Sequence, residues 1–413
     1  MPNSGAPDSL RFRPGFNDGA LGLLAAAILL VGAVVWSYQT SRVEKTDFAL
    51  TYMGGVLVHE GFGTRLYDIE LQKETLDRLF QHPNPLFFEH PPFEALLFSP
   101  LAAFSFRTAY LIWGLLNAVV WLLLIYFLRP HLPWPREVLG YVCLWLLFAP
   151  LGVALYQGQS SIILLALFSI AFVQLRKKRE LAAGLVLGLG LFKFQFVLPF
   201  ALIFLLRKKW QFLIGFIISS CVLGTLSIAA AGFQGVAEYF RFVLTVIKNP
   251  HNASYGSAVD MPTIHGLLYA VVGERVGHMG LSVASTLLSI LLVTWISRQW
   301  PSEKPDASSD LIFGAAIAAS LAASAHMFMH DFSPLVLAMF LTAANIRRGI
   351  AEPHVAMTIV LAVFWTLPIY FVLVAWHCLY LMCPVLLLFV YSAVRMAKHA
   401  SRLPVNAIEY AGE

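Results

Sequence analysis

The chain has 413 residues, 59% hydrophobic and 12% charged, with a formal net charge of +5 and a mean hydropathy of +0.73. Soluble domains carry about twice that charge, roughly 25%, so a soluble enzyme of two or three domains is set aside in favour of one integral membrane unit over 1–413. The basic excess calls for no nucleic acid, because Lys and Arg of membrane proteins collect on the cytoplasmic side.

Apolar runs of about 20 residues, enough to cross a bilayer, recur along the chain and predict an all-α polytopic protein of about twelve spans. They lie near 19–38, 108–128, 137–155, 160–175, 181–192, 196–206, 211–231, 281–297, 311–329, 332–346, 354–372 and 377–395. The first run follows Arg11 and Arg13 but is too long for a signal-peptide core and lacks a convincing cleavage site, so it is read as an uncleaved span. The two short runs, 181–192 and 196–206, meet at Lys193 and are expected to be tilted or lengthened by their basic flanks. Placing the N-terminus inside puts the dense basic clusters, RKKR at 176–179 and RKK at 207–209, in short cytoplasmic loops. That charge bias sets the orientation, with both termini cytoplasmic.

Two segments interrupt the rhythm of spans and short loops, and both fall outside. The first, 39–107, contains two expected surface helices (47–60 and 67–81) and the proline-punctuated HPPFEALLFSPLAAF at 90–104, read as re-entrant or interfacial. The second is 232–280; a solvated cytoplasmic linker, PSEKPDASSD, covers 301–310. The four cysteines (143, 221, 378 and 383) lie in or beside apolar runs, so neither a disulfide framework nor a cysteine metal site is expected.

Ionisable groups at membrane depth are expensive and therefore functional candidates. Asp47, His59, Glu89, His90, Gln157, Gln159, Lys193, His265, His326, His330 and Asp331 all fall at or near the external ends of predicted spans. Each has a plainer reading. Asp47 and Asp331 can cap helices, Lys193 can snorkel, and the His90 segment can be a turn. His326 and His330 are four apart, on one face if the segment is helical, a spacing that can hold a metal. No third ligand is clear, so no metal is expected.

The order of these pieces carries a resemblance. One span is followed by Asp47 with Tyr52 five residues on, then LYD at 66–68, PPFEALLFSPLAAF, YQGQSS at 156–161, and AAGLVLGLGLFKFQFVLPF ending past Lys193; MPTIHGLL and SAHMFMHDFSPLVL come later. The series resembles glycosyltransferase family 87, membrane mannosyltransferases of the GT-C fold that use polyprenyl-phosphate sugars. The likeness runs from about 40 to about 345. It implies a GT-C-like bundle with two long external loops, at the cell membrane. Asp47 would be the catalytic base, with Lys193 and His326 meeting phosphate or relaying a proton. Tyr52, His90, Gln159, His265, His330 and Asp331 are carried as further substrate-binding candidates. Thr263 and His265 stand where an Asn and an Arg are expected in close relatives.

The chemistry agrees. A carboxylate can take the proton of an attacking sugar hydroxyl, and Asp is ionised at neutral pH because its ordinary pKa is about 3.9. The leaving phosphate needs cations or hydrogen-bond donors, but no cofactor and no obligatory metal. The expected partners are a polyprenyl-phosphate sugar, a glycolipid or glycan acceptor, and the bilayer itself. A single displacement predicts inversion. The rival readings are a secondary transporter, which would place its polar groups near the midplane of paired halves, and a non-catalytic lipid-binding protein.

Overall fold

The computed structural model describes residues 43–80, 87–133, 147–248, 258–301 and 307–401, with scattered helical positions between 25 and 39. Every regular element described is helical. A first group, α1 (Phe48–His59), α2 (Ile69–Leu79) and α3 (Pro92–Phe98), precedes the long α4 (Phe106–Leu128). Then come α5 (Ala149–Gln157), α6 (Ser161–Arg176), α7 (Glu180–Gly188), α8 (Phe194–Leu206) and α9 (Trp210–Lys248). The chain continues through α10 (Ile264–Val272), α11 (Gly277–Gln299), α12 (Ala307–Ala322) and α13 (Leu335–Arg347). It closes with α14 (Val355–Trp365), α15 (Leu367–Ala375) and α16 (Met382–Ala400).

Among the described residues, six helical stretches are long and apolar enough to cross a membrane, or seven if the bent pair α14–α15 is one span. The expected twelve are not recovered among the described residues, and the physical reasons differ by place. The runs at 181–192 and 196–206 are one stretch, Glu180–Leu206, joined by a 3-10 turn at Leu189–Lys193. The runs at 160–175 and 311–329 become α6 and α12, each 16 residues long and largely buried inside the protein. The run at 354–372 is bent by 71°, where Thr366 is extended and Pro368 opens the next helix, a place proline tolerates because its missing N–H is not needed there. The span expected at 19–38 falls mostly on undescribed residues, as does the first half of 137–155.

The second long loop is also corrected. Residues 233–248 continue α9 as helix past a kink at Gly232 (φ 65°, ψ 174°), and α10 and the start of α11 occupy 264–280. Residues 249–257 lie outside the described ones. In the first loop, helices form at 48–59 and 69–79 near the expected positions, and the 90–104 stretch is a short helix continued by a 3-10 turn.

The helices pack around two apolar cores. The larger joins α4–α9 and α11–α16, with Trp121, Phe168, Phe200 and Leu337 among its buried members. The smaller joins α1–α4 and Tyr239 of α9. Close helix approach comes from small residues, as expected where dispersion and backbone proximity drive association. A Cβ added at Gly184 of α7 would lie 1.9 Å from the Phe212 carbonyl oxygen of α9, and one at Gly215 would lie 2.1 Å from the Leu181 oxygen. This tight seam holds α7 on α9, just ahead of the break at Lys193.

Candidate active site

The two cores meet at a cavity of about 210 Å³. Asp47, Glu89 and His90 line it from the small-core side; Gln159, Lys193, His326, His330 and Asp331 line it from the large-core side. Seven of the nine candidate residues therefore share one cavity, across nearly the whole described sequence.

Asp47 occupies the N-cap position of α1, but its side chain makes no capping hydrogen bond. Its carboxylate oxygen Oδ2 instead accepts from Gln159 Nε2 at 2.7 Å. Its backbone N–H donates to Gln157 Oε1 at 3.1 Å. The YQGQ turn thus grips the aspartate from both sides. Gly158 makes this possible: its φ is +65°, and an added Cβ would lie 2.6 Å from Phe48 Cβ. Only glycine meets both demands at low cost.

Lys193 sits at the break between the 3-10 turn and α8, 4% exposed. It does not snorkel. Its ammonium donates to Gln159 Oε1 at 3.2 Å and to Asp331 Oδ1 at 2.5 Å. Gln159 is therefore a bridge, donating to Asp47 with its nitrogen and accepting from Lys193 with its oxygen. Asp331 also accepts from Ser161 Oγ at 3.4 Å and from the Phe328 backbone N–H at 3.0 Å. Asp331, third in the 3-10 turn Met329–Phe332, so caps that turn while neutralising the lysine.

The predicted helix through 311–329 breaks here. After α12 the chain leaves the helix at 323–328, where Ser324 Oγ donates to the His326 carbonyl at 2.6 Å, and re-enters through a 3-10 turn, Met329–Phe332. His326 and His330 are thus not on one helix face, which corrects the expected i, i+4 pair. His330 Nε2 lies 3.4 Å from Asp331 Oδ1. Among the described residues no group of three His, Cys, Asp or Glu is placed to hold a metal ion.

The opposite wall is acidic. His90 Nδ1 lies 2.7 Å from Glu94 Oε2, and the Tyr67 hydroxyl donates to the His90 carbonyl at 2.7 Å. Burial opposes a charge on His90, yet the Glu94 carboxylate raises its pKa. Burial pushes the Glu89 carboxyl up to about 7, with the Asp47 charge adding to the shift and His90 opposing it.

Two candidates lie elsewhere. Tyr52 is buried in the small core, its hydroxyl donating to the Phe104 carbonyl at 2.8 Å. His265, on α10, sits 3.3 Å from Ser285 Oγ and lines a neighbouring apolar groove of about 490 Å³ between α8 and α11. The groove and the cavity share Ala325 on their boundary. His59 is exposed and outside both. Sequence reasoning passed over Glu94, 3% exposed and accepting from Ser160 Oγ at 3.3 Å, and Ser161. A lone carboxylate inside the apolar FEALLF was the available signal for Glu94.

No curated protein matches the chain, and no solved structure matches it. A family model does: Glycosyltransferase family 87, over residues 87–325. The match includes His90, Gln159, Lys193 and His265; Asp47, His326, His330 and Asp331 lie outside it. It covers more than half of the sequence, and with the membrane-spanning helices it identifies the chain as a membrane glycosyltransferase belonging to glycosyltransferase family 87.

Proposed function

We propose that the protein moves a sugar, mannose by family resemblance, from a polyprenyl-phosphate donor to a hydroxyl acceptor at the external face of the cell membrane, with Asp47 as general base. The observation that carries this reading is the Asp47 carboxylate. It lines the cavity, leaves its helix uncapped and is held by Gln159. A carboxylate bound to one side-chain donor keeps lone pairs for a further proton.

The acceptor hydroxyl gives its proton to Asp47 as its oxygen attacks the anomeric carbon. The bond from that carbon to the phosphate oxygen breaks, and the electron pair leaves with the polyprenyl phosphate. One displacement inverts the anomeric centre. Lys193 has three N–H donors, two of them directed at Gln159 and Asp331. The third, with His326 and His330, serves the phosphate as charge develops. The adjoining apolar groove suits the polyprenyl chain, since α8 and α11 expose Leu198, Leu205 and Ile290 beside it.

The direct test incubates purified protein with polyprenyl-phosphate sugars and membrane lipid extract and identifies products by mass spectrometry. A transferred sugar with inverted linkage is expected; no product from any polyprenyl-phosphate sugar would count against the donor class. For the orientation, exposed Lys73 and Lys178 are each replaced by cysteine. Lys73→Cys is expected to react with an impermeant thiol reagent in intact cells and Lys178→Cys is not; the reverse pattern would place the site inside.

A further inference from the structure

Most charged groups of the cavity are satisfied within the chain. Asp47 is held by Gln159, Lys193 by Asp331, and His90 by Glu94. Glu89 is not. Among the described residues it makes no hydrogen bond or ion pair, and its Oε1 is sealed from solvent without a partner. Buried polar atoms in native proteins are nearly always partnered, so a buried orphan in a substrate cavity calls for a partner from outside the chain. Phe87 and Phe242 line the same cavity. A cavity lined by a carboxyl group and aromatic rings offers a sugar both of its needs, hydrogen bonds for hydroxyls and apolar faces for C–H bonds.

We propose that Glu89 binds a sugar hydroxyl in this cavity, whose lining Phe87 and Phe242 share, a role distinct from that of the Asp47 base and of the Lys193 wall. The assignment rests on the glycosyl-transfer reading above. Both substrates of such a reaction carry sugar hydroxyls, so the ligand chemistry is shared by donor and acceptor.

Burial first, and then the Asp47 charge, favour a protonated carboxyl. Asp47 acts on Glu89 from the start of α1, Glu94 lies on α3 and Tyr239 on α9, while His90 is adjacent and opposes. An ionised carboxylate only accepts hydrogen bonds, whereas the acid also donates. With its pKa raised to about 7, Glu89 is mostly acid at pH 6 and mostly carboxylate at pH 8. A contact that uses the acid's O–H weakens as pH rises across that interval.

The test uses the full-length protein and its Glu89→Ala and Glu89→Gln variants. The probes are short-chain polyprenyl phosphates and octyl glycosides bearing mannose, glucose or arabinose, with their monodeoxy analogues. Binding is measured by calorimetry at pH 6 and pH 8, alongside KM and kcat for transfer. The parent is expected to lose about tenfold or more in affinity when one particular hydroxyl is removed, since one good hydrogen bond to a charged or acid group corresponds to roughly 1.5–3 kcal/mol. Glu89→Ala is expected to be indifferent to that same removal and to show a similarly raised KM. Glu89→Gln, still able to donate and accept, falls between them and loses the change between pH 6 and pH 8. An effect confined to polyprenyl phosphates assigns the hydroxyl to the donor; one confined to octyl glycosides assigns it to the acceptor. Identical deoxy profiles for parent and Glu89→Ala would overturn the proposal while leaving transfer intact. A parent that binds no probe overturns this subsite and the transfer reading together. If Glu89→Ala fails to fold, Glu89→Gln and the deoxy series still decide.

Discussion

On the large-core wall of the cavity, Lys193 and Asp331 form a pair that is almost wholly buried, 4% and 2% exposed, and Ser161 and a backbone N–H take up the remaining lone pairs. On the small-core wall, Asp47 and Glu89 are only partly buried, and among the described residues their carboxyl groups receive a single side-chain hydrogen bond between them. The carboxylate of the first wall is satisfied before any substrate arrives, and only the third N–H of Lys193 is left over. The second is left with acceptor capacity, the condition in which a group can exchange a proton or a ligand. Gln159 joins the two, touching Asp47 with one end of its amide and Lys193 with the other.

The largest effect is expected at Asp47. Asp47→Asn removes the proposed base and is expected to lower the transfer rate by about 10²–10⁴. Thermal stability should hold, because the side chain makes no cap. A folded Asp47→Asn protein that transfers at the parental rate would sink the mechanism and erase the distinction between the walls.

The first wall should fail through stability. Lys193→Met leaves Asp331 buried without its cation, an arrangement that typically costs 3–5 kcal/mol (~4). Thermal unfolding in detergent measures this loss. Adding Asp331→Leu is expected to restore much of the stability, since apolar replacements of buried pairs are often neutral, without restoring transfer. A single variant as stable as the parent would show that the pair is not set in place by the fold.

Gly158→Ala probes the bridge. A non-glycine residue held at positive φ costs on the order of 1–3 kcal/mol, and here the new methyl also meets Phe48. Lower activity is expected with donor affinity preserved, because Gln159 moves relative to Asp47. The smallest effect is expected at Tyr52→Phe, which loses the hydrogen bond to Phe104 and about 1 kcal/mol. It lies outside the cavity, so kcat should not change; a fall in kcat at unchanged stability would bring Tyr52 into the site.

The members of the site were more legible than their partners. Lys193, Asp331 and the histidines stand out because polar groups in apolar runs are rare enough to need a reason. Their pairing was not legible. Lys193 and Asp331 are 138 positions apart, and no local pattern joins them. Snorkelling was a fair alternative for a lysine at a span end, and it loses because Asp331 offers the ammonium a partner inside. The helix break at 323–328 was hidden for a similar reason. SLAASAHMF reads as continuing an apolar run, while the interruption depends on Ser324 and Asp331 bonding backbone groups. Span number suffered from the same blindness: hydropathy measures apolarity, but α12 is apolar because it is buried in protein, not because it faces lipid.

The length of α9 has a mechanical consequence. At about 1.5 Å per residue, the 22 residues of α9 before Gly232 reach about 33 Å, close to the roughly 30 Å hydrocarbon thickness of a bilayer, and the 16 after it reach about 24 Å. The portion before Gly232 is seated among the spans against α7, and the portion after it carries Phe242 and Val243 to the cavity. A change in the tilt of the first arm, such as a thinner or thicker bilayer imposes, reaches Phe242 and Val243 along the chain through Gly232, so activity is expected to vary with lipid chain length, which assays in bilayers of different thickness measure.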